Sequence, residues 1–217
     1  MKFVDPVVFG HDMQSKAAKG SNSDVTKFCD YVCKHVMSSP VATNEPAGNA
    51  QGPIYMNTGL GDPADQLSGA AGVCGAAAII LFIVGETHKN TADSRRAQKM
   101  VNRMNSDPDP TNCLLVEERK IGHKAATLSF TNFFYAHEWD MWGENFSELQ
   151  RSVGIAAYVA LCAAGGDQST KLKVLLPFGD NHVTDIITAF EYLVDNCHAV
   201  RALRKRPRVY YVFRTSA

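Results

Sequence analysis

Two stretches of nearly bare backbone stand out as places where chemistry could occur, SGAAGVCG at 68–75 and FGDNHV at 178–183. Each reads as the opening of a helix, over 73–85 and 184–204 respectively. Free N–H groups at a helix start attract anions, and glycine lets an anion approach the backbone closely. Two such openings facing one another would hold a diphosphate; the alternative is that small residues simply allow a helix to pack tightly on a sheet. Three further clusters carry chemistry-bearing side chains. In CDYVCKH (29–35), Cys29 and Cys33 lie one helical turn apart with His35 nearby, which suits a metal or, better, a buried helical face, because no second pair has zinc spacing. HEWDMWGEN (137–145) groups His137, Glu138, Asp140 and Glu144 with both tryptophans, as a lid or a packed capping loop. RALRKRPR (201–208) is basic, and reads first as a solvated helix end and second as an RNA or acidic-partner contact.

The elements that must position these residues are clearest in the C-terminal half. KLKVLLPFG (171–179) is a continuous apolar run closed by Pro and Gly, the pattern of a strand buried on both faces. Residues 184–204 repeat apolar side chains at helical spacing, and RVYYVFRTS (208–216) is a second strand. One step earlier, KAATLSFTNF (124–133) reads as a strand and SELQRSVGIAAYVALCAAGG (147–166) as a helix ended by a glycine pair. This alternation predicts right-handed crossovers and a largely parallel, helix-covered sheet. In the N-terminal half, KFVDPVVFG (2–10) is expected as an edge strand because of Pro6. Residues 23–37 and 90–105 are expected as helices, 54–56 and 113–121 as strands, and 38–53 as a polar loop.

Composition narrows the function classes. The 217 residues balance 22 basic against 22 acidic side chains, so no global charge draws the chain to nucleic acid. The longest apolar run is too short to span a bilayer, and the N-terminus lacks the apolar core of a signal peptide. Cysteines at 29, 33, 74, 113, 162 and 197 follow no disulfide-framework spacing. They are read as reduced thiols, with a cytoplasmic location. Neither a P-loop nor a G-x-G-x-x-G motif occurs.

Four stretches together resemble the macrodomain family, which binds ADP-ribose. VVFGHDM (7–13) is similar to the family's first strand and G-D turn, and PIYMNTG (53–59) to the strand that ends in an Asn-rich motif. GAAGVCGAA (69–77) is similar to its first phosphate loop, and 173–194 to its late strand, second phosphate loop and helix. The resemblance implies one three-layer α/β/α domain over 1–217, with a mostly parallel central sheet and a long N-terminal insertion at about 14–53. It implies that Asp12 accepts from the adenine amino group and that Phe213 lines the adenine pocket. Gly72, Val73, Cys74 and Gly75 would wrap the phosphate nearer the distal ribose, with Gly179, Asp180 and Asn181 as the opposing loop. Asn57 would orient water at that ribose. The family's second Asn is replaced by Leu60, and Asp62 is the first candidate to stand in for it. Expected partners are therefore ADP-ribose or an ADP-ribosylated protein, without nucleic acid, membrane, cofactor or metal. The expected function is binding, with weak mono-ADP-ribosyl hydrolysis at most. The alternative is a structural or interaction protein that kept the fold and lost the nucleotide site.

Overall fold

The computed structural model describes residues 3–17, 24–41, 52–57, 78–87, 91–106, 112–118, 134–138, 141 and 146–214. It is an α/β fold. Among these residues six strands form one all-parallel sheet, as expected from the alternation of elements. The strands are β1 (Pro53–Asn57), β2 (Ile79–Glu86), β3 (Cys113–Glu117), β4 (Phe134–His137), β5 (Leu172–Gly179) and β6 (Arg208–Phe213). Their order across the sheet is β1-β6-β2-β5-β3-β4. The helices are α1 (Pro6–Asp12), α2 (Val25–His35), α3 (Thr91–Asn105), α4 (Glu148–Gly165) and α5 (Asp180–Asn196), with a 3-10 helix at His198–Lys205. No described helix is long and apolar enough to cross a membrane. The chain divides into two compact units.

The sheet unit comprises Pro53–His137, Ser169–Val183 and Pro207–Ala217. β2 and β5 are buried at every position, which a central parallel strand requires. They run in register from Ile79 opposite Leu172 to Glu86 opposite Gly179. One face of the sheet presents Ile80, Phe82, Val84, Leu175, Val209, Tyr211 and Phe213 to a core that also holds Ala97, Met100, Val101 and Met104 of α3. Those four α3 residues recur at helical spacing, so a single stripe meets the sheet. Phe82 and Tyr211 stack with ring centroids 5.1 Å apart.

Two sequence expectations fail here. The helix expected over 73–85 is, in its described part, strand β2. Ile79–Val84 is a short apolar run rich in β-branched residues, and pairing with β5 and β6 on both sides determines its state. The strand expected over 2–10 is helix α1. Asp5 accepts hydrogen bonds from the Val7 and Val8 amides at 2.8 and 3.2 Å, and Pro6 occupies the first helical position. An Asp cap followed by Pro starts a helix, because proline's missing N–H is needed least there. The strand expected over 124–133 lies outside the described residues.

The helical unit comprises Met1–Gly52, Glu138–Gln168 and Thr184–Arg206. α4 is buried nearly all round, and Ser147 and Gln150 close its start as a capping box at 3.0 and 3.3 Å. Tyr158 donates to the Val4 carbonyl at 3.0 Å, and burial raises its phenol well above the ordinary tyrosine range. Gly10 lets α1 pass directly against the Met141 backbone, where a Cβ would collide. The helix expected over 184–204 starts four residues earlier and breaks at Cys197, whose backbone is extended before the 3-10 helix begins.

The cysteines also depart from expectation. Cys33 and Cys197, 164 residues apart in sequence, form a disulfide with a Cα–Cα distance of 5.8 Å. Spacing alone could not pair them, because proximity is created by packing. Cys29, Cys113 and Cys162 are free and buried, and burial pushes the Cys162 thiol up to about 11. Cys74 lies outside the described residues. The disulfide removes the ground on which a reducing, cytoplasmic compartment was expected.

The capping box gives a direct stability test. Ser147→Ala is expected to lower the unfolding free energy by about 1 kcal/mol. Urea denaturation should show a lower midpoint with an unchanged slope.

Candidate functional site

Because every strand of the sheet is parallel, the strand ends gather at one edge. In sheet order they are Asn57, Phe213, Glu86, Gly179, Glu117 and His137. The chain leaves β2 for β3, on the far side of β5, and leaves β5 for β6, on the far side of β2. The strand order thus reverses between β2 and β5, and in open parallel sheets that is where a crevice for ligand opens.

The residues at this reversal are built up from the end of β3. β3 pairs with β5 only from Cys113 opposite Lys173 to Leu115 opposite Leu175. Pro177, which has no N–H to give, lies beyond that ladder. Where the two strands part, the Glu118 amide reaches the Pro177 carbonyl at 3.4 Å. The fully buried Glu118 carboxylate accepts from the Gly179 amide through Oε2 and lies 3.3 Å from His182 Nε2 through Oε1. The Phe178 ring meets the His182 ring edge-on, with centroids 6.0 Å apart. One carboxylate therefore ties the end of β5 to the first turn of α5.

β5 runs straight into α5, so Asp180 sits in the helix's first turn, where the dipole favours a negative charge. Its carboxylate lies over Gly85 of β2. A Cβ at Gly85 would overlap Asp180 Oδ1 and stand 3.3 Å from the Phe213 carbonyl, so glycine is what allows this approach. Asp180 Oδ1 is buried and has no hydrogen-bond partner among the described residues. Beside it, the exit of β2 is tied down by Asp93, which accepts from the Thr87 amide at 2.9 Å and pairs with Arg96 at 3.5 Å.

Of the residues expected from the sequence, Gly179, Asp180, Asn181 and Phe213 lie at this edge. Asn57 closes β1 on the same edge, opposite Val212. The Gly179 amide is already engaged by Glu118, and the Phe213 ring belongs to the buried core beneath α3. Asp12 is on helix α1 rather than in a turn after a strand, and pairs with Lys16 at 3.0 Å. Asp62, Gly72, Val73, Cys74 and Gly75 lie outside the described residues.

Residues missed by the sequence reading are Gly85, Glu86, Glu117 and Glu118, with His182. A signal for them was present. IVGE, LLVEE, FYAHE and PFGD each close an apolar run with an acidic residue, and each is the end of a strand. Of the HEWDMWGEN cluster, residues 139–140 and 142–145 lie outside the described residues. Glu138 pairs with Arg151 at 3.2 Å, and Cys33 is in the disulfide. Arg206 is buried and donates to the Ala163 carbonyl at 3.4 Å, and burial lowers its guanidinium's pKa. Among the described residues, no three His, Cys, Asp or Glu side chains are grouped to hold a metal.

Gly85→Ala is expected to expel the Asp180 carboxylate and to destabilise the fold by about 1–3 kcal/mol. The double variant Gly85→Ala/Asp180→Ala should regain most of that loss. Urea midpoints of the two single variants and the double variant complete the cycle. The chain matches no protein-family model, no curated protein and no solved structure.

Proposed function

We propose that the chain binds a hydroxyl-bearing small molecule of the ADP-ribose class at the ends of β2 and β5. The observation that carries this reading is Asp180 Oδ1, buried over Gly85 without a partner among the described residues. A buried carboxylate oxygen without a donor is costly, and a ligand hydroxyl would satisfy it. The chemistry of this edge favours hydroxyls over phosphate at that point. The Gly179 amide is committed to Glu118, and Asp180 itself supplies the negative charge that the start of α5 attracts. In this reading Asp180 faces the ribose hydroxyls, with Asn57 as a positioning residue on the same edge. Recognition of the diphosphate by residues 72–75, and weak hydrolysis through Asn57 and Asp62, are the finer parts of the proposal and rest on the macrodomain resemblance.

The second reading, a protein that keeps an α/β fold for structural or interaction purposes, is favoured by one specific observation. The described part of the segment expected as the first helix is strand β2, so of the two expected helix openings the described residues contain only that of α5.

Calorimetric titration with ADP-ribose, AMP and ribose 5-phosphate tests both. ADP-ribose is expected to bind, with AMP much weaker. Asp180→Ala should weaken ADP-ribose about tenfold, the value of one charge-assisted hydrogen bond. Equal affinity for AMP and ADP-ribose would show that the distal ribose is not read. Absence of heat with all three ligands would favour the structural reading.

A further inference from the structure

In the helical unit, the last turn of α2, residues 36–41 and the break after α5 meet around sulfur. We propose that the Cys33–Cys197 disulfide is a redox latch that holds residues 36–41 against the junction between α5 and the 3-10 helix. The latch is a local device built on contacts at that junction alone. Val41 forms an isolated antiparallel bridge with Cys197. The His198 amide donates to the Pro40 carbonyl at 3.2 Å, and the Ala199 amide to Ser39 Oγ at 2.8 Å. Met37 Sδ lies 3.7 Å from Cys197 Sγ.

Two features make the held state one of a pair. Ser38 has φ 50°, the left-handed region that a residue with a Cβ adopts only under constraint, so release lets its backbone relax. The cover over the disulfide is also thin. Cys33 and Cys197 are buried, but Ser38, Pro40, His198 and Ala199 around them are exposed. Opening of that short segment is enough to admit a reductant.

The reaction is thiol–disulfide exchange with a dithiol. A thiolate of the reductant attacks one sulfur of the pair and forms a mixed disulfide, and its second thiol resolves it. The chain's S–S bond breaks and the reductant's two thiols become one disulfide. The two protons they lose end on Cys33 and Cys197. Cys29, one turn before Cys33, does not serve as the attacking group, because burial holds its thiol protonated.

The test compares the full chain equilibrated with glutathione disulfide and then with dithiothreitol. Peptide mass mapping reports the bond, and amide hydrogen exchange reports the segment. In the oxidised protein, the Cys33 and Cys197 peptides should be cross-linked and residues 36–41 protected. After reduction, residues 36–41 and 197–205 should lose protection, while 79–86, 172–179 and 208–213 keep theirs. Cys33→Ser/Cys197→Ser should reproduce the reduced pattern without reductant. The proposal is overturned if no cross-linked peptide forms, or if confirmed reduction leaves 36–41 protected. It is equally overturned if the sheet strands lose protection together with that segment or the double variant fails to fold, because the bond would then be a staple of the whole fold.

Discussion

The junction between β5 and α5 depends on one buried carboxylate. Glu118 has no contact with water, so each of its oxygens requires a partner within the protein. It finds them in the Gly179 amide and the His182 ring. Removing either partner would leave a buried carboxyl oxygen unsatisfied, which costs more than the net worth of the contact. The constraint propagates. With Gly179 held, α5 must start at Asp180, and Asp180 is then carried over Gly85 at the end of β2. The point where strand order reverses is therefore organised by an acid that belongs to neither of the two central strands.

That arrangement decides the chemistry of the edge. A glycine loop before a helix is the usual place for a phosphate, because its amides are unoccupied. Here the glycine amide is occupied and the next residue is acidic, so the same backbone geometry presents acceptors in place of donors. Hydroxyl-bearing ligands fit acceptors. On the same edge Glu86 closes β2, Glu117 closes β3 and accepts from the Tyr135 hydroxyl at 3.0 Å, and Asp93 and Arg96 fasten the exit of β2.

The helical unit is held by a different kind of constraint. α4 is apolar nearly all round and is buried accordingly, while the Cys33–Cys197 bond joins residues that the chain separates by most of its length. The bond sits where residues 36–41 meet the end of α5. It explains why the helix after β5 stops at Cys197. The residue is extended, bonded to Cys33 and bridged to Val41, and the chain resumes only as a 3-10 helix.

The sequence by itself determined the α/β class, the parallel sheet and most C-terminal elements. Their signals are local: helical spacing in α4 and α5, a capping Ser147 with Gln150, and apolar runs closed by turn residues at β5 and β6. It also carried, unread, the Asp5–Pro6 helix start and the acid that follows four separate strands. Tertiary structure alone decided the state of Ile79–Val84, because a short apolar run suits a helix or a strand equally until neighbours on both sides supply hydrogen bonds. It alone paired Cys33 with Cys197, and it alone brought Asp180 over Gly85. Those are contacts between residues distant in sequence, and no local pattern of residue types encodes a distance that only packing creates.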